Sequence, residues 1–495
     1  MEKLIEQAYS LDRAREYISK KRKTVNETFR NNFHLMPPVG WMNDPNGFVY
    51  YNGEYHLFYQ FYPYDSKWGP MHWGHSKTKD FIHWEELPTA LAPDETYDKD
   101  GCFSGSAIEK DGKLYLMYTG HVVENGKVTQ TQCVAVSEDG VHFTKHKANP
   151  VIGKNEIGEY GLIQDFRDPK VIEKDGVYYS VVASKTADER GLILLYKSSD
   201  LIDWTFYSVL LEGKPEQGVM WECPDLFYLD GKDVLIMSPI QMTPQGIEYH
   251  NTSSTAVFIG EMDWEKGTLK VDNIHEIDYG LDFYAPQTLT DDQGRRIMVA
   301  WMQMWGRTLP TDELRHGWAG SMTLPRELGI KENKLYQKPV SEIYSFIEIK
   351  ETNTDFTIQD EVLEFESRVT KNPYYKLKVD THENKNFSLL LLGTENAGLV
   401  LSYNKDTQLL TLSRDNYGYK ITGDEKEHLT QRQVGIKEAV FELEIFMDKS
   451  AIEVFVNNEK TMTFTFYGET NESNLKIYSE GLLKVLSLDS GSVEV

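Results

Sequence analysis

Residues 41–61 read WMNDPNGFVYYNGEYHLFYQF. Two apolar, aromatic runs, Phe48-Val49-Tyr50-Tyr51 and Tyr55–Phe61, flank Asn52-Gly53. Asn-Gly is the strongest short hairpin signal, because both residues accept the left-handed backbone of a type I′ turn. Ahead of the first run, Pro45 removes a backbone donor and Asn46-Gly47 tolerates a tight bend. Asp44 is therefore presented at the start of a strand, beside Asn43 and the aromatic bulk of Trp41. A turn Asp commonly does no more than cap. Recurrence of the arrangement elsewhere in the chain raises it above that.

The hairpin returns at Asp111-Gly112, Asp175-Gly176, Asp230-Gly231 and Gln293-Gly294, at intervals of about sixty residues. An apolar strand follows each time (KLYLMYTG, VYYSVVAS, KDVLIMSP, RRIMVAWM). An outer element repeats as well: Asp80…Trp84, Asp139…Phe143 and Asp200…Trp204 share one spacing. Several short strands per unit at a fixed period predict a propeller, here five-bladed. Its limits are read at residues 34–339, after an N-terminal extension (1–33). Apolar spacing at Leu4, Ile5, Ala8, Tyr9, Leu11 and Ala14 predicts a short amphipathic helix in that extension. A charged link (340–355) follows the propeller. Residues 356–495 alternate with period two in VLEFESRV, FSLLLLG, LVLSYN, LLTLSR, AVFELEIFMD, AIEVFVNN and TMTFTFYG, which predicts a β-sandwich. The expected fold is all-β.

Before each turn glycine stands a polar motif opening the blade's first strand: Asp44 (NDPNG), Ser104 (FSGS), Asp168 (RDP), Glu222 (ECP) and Asp282 (DFYAPQ). Innermost propeller strands line the axis, so these positions converge. Clustered carboxylates repel, and stability alone would favour apolar residues there. A group held at such a cost marks a site.

The net charge of −25 argues against nucleic acid or an anionic membrane as partner and suits a neutral sugar. Cys102, Cys133 and Cys223 form neither a disulfide framework nor a metal spacing, and fit a reducing compartment. No signal-like apolar stretch opens the chain and no membrane span is expected, so the expected location is the cytoplasm. A homo-oligomer is left open. No cofactor is expected, since no phosphate-binding glycine pattern precedes a helix. No metal is expected either. His72, His75 and His83 sit in an aromatic, strand-like context that favours packing.

Two carboxylates across a bound sugar are the machinery of glycoside hydrolysis, one as nucleophile or base and the other as proton donor. Asp44 suits the nucleophile, with Asn43 and turn amides to orient it. Glu222, between Trp221 and Cys223-Pro224, has apolar sequence neighbours of the kind that raise a carboxylic acid's pKa. Asp168 follows Arg167, a cation that would keep it ionised to stabilise positive charge in the transition state. Cys223 as nucleophile is the weaker reading, since no His stands beside it. Gln60, Trp68, Phe103, Tyr284, Gln287 and Trp301 fall near strand ends, where aromatic faces stack on sugar CH groups and amides select hydroxyls. Some of these serve the core instead.

WMNDPNG, FSGS, FRDP, WECPD and DFYAPQ, in this order, resemble glycoside hydrolase family 32, the invertase and sucrose-6-phosphate hydrolase group. NFHLMPP, GSMTLPREL and DKSAIEVFVNN extend the resemblance over nearly the whole chain. It implies a retaining mechanism on β-D-fructofuranosides, with Asp44 as nucleophile, Asp168 as transition-state stabiliser and Glu222 as acid/base. It also implies that Gln60, Trp68, Ser104, Arg167 and Asp282 line a fructose subsite. Sucrose or sucrose 6-phosphate is the expected substrate. Short fructo-oligosaccharides, fructosyl transfer and non-catalytic fructan binding stand as alternatives. A phosphorylated substrate would want a positive group at the rim, for which Arg307 and His316 are positioned in sequence.

Overall fold

The computed structural model describes residues 9–365, 371–425, 429–468 and 474–495. Residues 366–369 of the expected strand VLEFESRV, and Leu4, Ile5 and Ala8 of the expected helix, lie outside this set. Leu11–Lys21 is helical, with Ser10 accepting a hydrogen bond from the Arg13 amide as its N-cap and Lys20 and Lys21 in the last turn. No helix among the described residues is long and apolar enough to cross a membrane.

Five antiparallel sheets of four strands follow, the first extended by a short parallel fifth strand, and they form a five-bladed propeller. We label the innermost strands β1 (Gly40–Tyr51), β2 (Gly101–Lys110), β3 (Arg167–Lys174), β4 (Met220–Leu229) and β5 (Tyr284–Thr290). Each leads through its turn glycine into the second strand of its blade. At four of the five turns both central residues have positive φ (Asn52/Gly53, Asp111/Gly112, Asp175/Gly176, Asp230/Gly231), as type I′ requires. The repeated outer element is an Asx turn: Asp80, Asp139 and Asp200 each accept amides two and three residues on.

The hydrophobic core is divided among the blade interfaces. One cluster lies between each adjacent pair, around Trp73 and Tyr118, Val134 and Val182, Val181 and Leu235, and Val234 and Met298. The cluster between the fifth and first blades also takes in helix residue Ile18 and sandwich residues Tyr374, Phe446 and Phe455. Trp318–Ala319 pairs in parallel with Gly40 and Trp41, closing the ring beside β1.

All five innermost strands break register at the same level: Met42/Pro45, Phe103/Gly105, opposite Val181/Ala183 in β3, Glu222/Asp225 and Tyr284/Gln287. Each break is a β-bulge, which re-aims side chains and frees the ladder donor that a proline lacks. Proline stands in the break in three blades (Pro169, Pro224, Pro286) and immediately after it in the first (Pro45). The second has Gly105, where an added Cβ would lie 2.0 Å from the Met117 carbonyl oxygen. Asp168, Cys223 and Ala285, each before its proline, have φ of 64°, 49° and 50°. Left-handed backbone at non-glycine residues costs on the order of 1–3 kcal/mol each and concentrates at functional sites.

One step further along each strand, buried polar groups link blade to blade. Gln287 accepts from the Phe48 amide and donates to the Gly105 carbonyl, and Lys170 pairs with Asp225 at 3.1 Å. They plug the axis, leaving a void of only about 10 Å³ beneath the bulges.

The sandwich has two layers sharing the long final strand Leu475–Val493, whose first part pairs with Asn384–Thr394 and second part with Pro373–Asp380 and Ile347–Gln359. The last of these corrects the expected link at 340–355. Ile347–Gln359 is an edge strand, exposed on most of its residues, so its charged sequence carried no apolar alternation. Fully buried ions rivet the two domains. Arg326 of the fifth blade pairs with Asp278 at 2.9 Å and with sandwich Glu453. His34 sits between Asp448 and Glu453. Burial opposes its charge, but the two carboxylates prevail and push its pKa up to about 9.

Candidate active site

The bulges set three carboxylates from three blades into one cluster at the mouth of the plugged axis. Asp44 is 8% exposed. Its Oδ2 accepts from Ser104 Oγ at 2.8 Å and lies 3.5 Å from Cys223 Sγ, while its buried Oδ1 has no hydrogen-bond partner among the described residues. Asp168 Oδ2 accepts from the Cys223 amide at 3.0 Å and lies 3.7 Å from the same sulfur. Glu222 Oε1 accepts from Arg167 Nε and Nη2 at 3.1 and 2.9 Å, and Oε2 accepts from Tyr284 Oη at 2.5 Å. Arg167 also stands 3.9 Å from Asp168. One guanidinium and one thiol thus tie the three acids together.

Electrostatics follow from that crowding. Burial, reinforced by Glu222, pushes the Asp44 carboxyl up from 3.8 to about 6 despite the Ser104 hydrogen bond. Burial also raises Asp168; Arg167 opposes this, and Glu222 and Asp44 add to it. Asp44 and Asp168, two buried carboxyls in one pocket, thus both take up a proton above the usual carboxylate range. Burial and the same acids push the Cys223 thiol well above its ordinary value, so it is an S–H donor to carboxylates and not a nucleophile.

Two expectations need correction. Glu222 is not in an apolar setting: successive strand residues face opposite ways, so Trp221 is buried in the interface between the third and fourth blades while Glu222 faces Arg167 and Tyr284. Asp282 is not with the other acids. Its Oδ1 accepts from Arg307, and its Oδ2 from Arg414 and the Thr465 amide and hydroxyl, which places it at the junction with the sandwich. Aligned on the bulge proline or glycine, which precedes the turn glycine by seven or eight residues in every unit, the fifth-blade equivalent is Ala285. Asp282 lies three residues upstream.

The remaining expected residues surround the cluster. Asn43 Oδ1 accepts from Trp41 Nε1 at 2.7 Å and Gln60 donates to the Cys102 carbonyl at 2.9 Å. Phe103 stacks on His121 and meets Trp68 edge-on at 5.9 Å. Trp301 is fully buried, packed beneath Trp41 and Trp305. Trp41, Trp68, Met304, Trp305, Leu309 and Lys67 wall a cavity of about 390 Å³ beside the cluster. Trp305 was not anticipated. Its signal was the long segment, residues 302–325, between the second and third strands of the fifth unit. A larger hollow of about 610 Å³ lies on the sandwich, remote from these acids, and Glu480 is the one acidic residue lining it. Neither rim cation expected from sequence serves as one. The Arg307 side chain is buried among Asp282, Glu425 and Asn251, and His316 stacks under Phe29. Among the described residues no group of three or more His, Cys, Asp or Glu could hold a metal ion.

Comparison with known proteins places this geometry. Residues 34–339 match the glycosyl hydrolases family 32 N-terminal domain and residues 340–493 the family 32 C-terminal domain. A sucrose-6-phosphate hydrolase of Escherichia coli is 38% identical over 484 residues, covering 96% of this chain and 97% of that one. The solved GH32 β-fructofuranosidase of Bombyx mori superposes with a TM-score of 0.83 at 35% identity, covering 98% of each chain. A sucrose-6-phosphate hydrolase from Lactobacillus gasseri gives 0.85 at 28% identity, covering 97% of this chain and 96% of that one. The chain belongs to glycoside hydrolase family 32.

Proposed function

We propose that the protein is a retaining β-fructofuranosidase that releases fructose from sucrose and sucrose 6-phosphate. One observation carries this reading: Asp44, Asp168 and Glu222, from three separate blades, share a single thiol and a single guanidinium. Asp44 attacks C2 of the fructosyl unit as the bond from C2 to the bridging oxygen breaks. Glu222 donates a proton to that departing oxygen. Arg167 and Tyr284 hold the Glu222 carboxyl in position, and Asp168 faces the positive charge that develops on the ring. Water then attacks C2 from the side the leaving group vacated, returns its proton to Glu222, and frees both Asp44 and fructose with retained configuration.

Support for the substrate comes from the aromatic cavity wall and from the relatives, which carry sucrose-6-phosphate hydrolase and β-fructofuranosidase names. Of the two cations on that wall, Lys67 has an exposed side chain and Arg307 does not. Lys67 is therefore the group that meets a phosphate. Measuring kcat/KM for sucrose, sucrose 6-phosphate and 1-kestose on the wild type, beside Asp44→Asn and Glu222→Gln, tests the proposal. Well-folded variants that kept near-normal fructose release would overturn it.

A further inference from the structure

The wall of the sugar cavity opposite Trp68 is a loop of the propeller, Met304–Leu309, but the propeller does not hold that loop alone. A segment of the sandwich, residues 422–425, runs antiparallel beside it, with Arg307 and Gly423 paired. The Thr308 amide donates to the Thr422 carbonyl at 2.7 Å and the Thr422 amide to Thr308 Oγ1 at 2.9 Å. The Asp424 amide donates to the Gly306 carbonyl at 3.1 Å. Beneath this bridge, Glu425 Oε1 accepts from both Nε and Nη2 of Arg307, at 3.2 and 2.9 Å. The other face of Arg307 is fixed by Asp282 and the Leu281 carbonyl, and Asp282 is itself held by Arg414 of the sandwich. On the sandwich side Ile421 is buried with Phe29, Trp318 and Tyr467. The segment is therefore anchored at one end and bonded to the cavity wall at the other.

We infer that the sandwich segment Thr422–Glu425 is a positioning element for the leaving-group side of the pocket, setting the placement of Trp305, Gly306 and Thr308 against the sugar that departs. This rests on the fructofuranosidase reading above. The three acids lie on innermost strands, and none of their hydrogen bonds runs through residues 422–425. Loosening the segment thus acts on how the departing sugar is held, and leaves the fructosyl-side chemistry alone. The fit is close. A Cβ added at Gly423 would stand 2.9 Å from the Gly306 carbonyl oxygen and 3.0 Å from Arg307 Cγ, so a larger residue there must push the wall.

Glu425→Gln and Gly423→Val, each assayed on sucrose, 1-kestose and methyl β-D-fructofuranoside, test the assignment. The methyl glycoside has the same fructosyl unit and almost nothing on the leaving side. The expected result is a KM for sucrose and kestose raised about tenfold, with kcat/KM for the methyl glycoside within about twofold of wild type. Should Gly423→Val fail to fold, Glu425→Gln, which keeps the side-chain volume, decides the matter. Unchanged constants on every substrate, or an equal fall on all three, would overturn the inference. A wild type inactive on all three fructosides would instead sink the enzymatic reading beneath it, and the inference with it.

Discussion

Replacing Asp44 with asparagine should inactivate the enzyme and at the same time make it harder to unfold at neutral pH. The carboxyl is 8% exposed, with its value raised from 3.8 to about 6, so ionising it is costlier in the folded chain than in the unfolded one. A raised folded value means that stability is fully present below about pH 4 and is lost as the pH climbs through about 6. The loss accrues between those two values at about 1.4 kcal/mol per pH unit and levels off above pH 6 at about 3 kcal/mol in all. An entropy of unfolding near 2 cal/mol/K per residue turns this into about 3 °C for a chain of 495 residues unfolding as one unit. Thermal melts of wild type and Asp44→Asn should therefore diverge by a few degrees at pH 7.5, the variant higher, and converge near pH 4. A variant that melts lower at pH 7.5, or a gap that does not change with pH, would refute the claim that Asp44 is held ionised against the fold's interest.

The same carboxyl sets the acid limb of kcat/KM, which should fall with an apparent pKa of about 6 as Asp44 takes up its proton, seen in a pH–rate profile on sucrose. Glu222→Gln should cost about 10²–10⁴ in kcat on sucrose, checked by initial rates. Tyr284→Phe removes the hydroxyl that donates to Glu222 at 2.5 Å and should lower kcat about tenfold, with KM for sucrose little changed. Lys67→Gln should depress kcat/KM for sucrose 6-phosphate several-fold more than for sucrose, an effect that rising salt erases. Asp282→Asn should cost about 3 kcal/mol or more in denaturant unfolding by leaving Arg307 and Arg414 short of a partner, because breaking a buried ion pair strands its charge.

Much of this molecule can be read from its residues, and the exceptions have definite causes. The Asn-Gly and Asp-Gly turns revealed four blades because the left-handed backbone they demand admits few other residues, and Gln293-Gly294 gave the fifth by its spacing. The strands of the sandwich were visible wherever one face is buried and the other wet. Ile347–Gln359 was missed because it is exposed almost throughout. Asp44, Asp168 and Glu222, each read from its own motif, come together in one cluster. What surrounds Glu222 was misjudged, because chain neighbours on a strand are not spatial neighbours. Arg167 and Tyr284 reach Glu222 from other blades. Asp282 was drawn into the site by its charge, although the bulge proline was the better marker of equivalence. Nothing in the chain next to Cys223 gave it a role, and only the bulge that turns it inward shows it between Asp44 and Asp168.

The most direct test of the account is to catch the covalent intermediate. Glu222→Gln, incubated with a fructosyl donor whose leaving group needs no proton, then acid-quenched, digested and analysed by mass spectrometry, should carry one added fructosyl unit on the peptide containing Asp44. A fructosyl unit on a peptide bearing Asp168 or Cys223 instead would contradict the assignment of Asp44 as the attacking group.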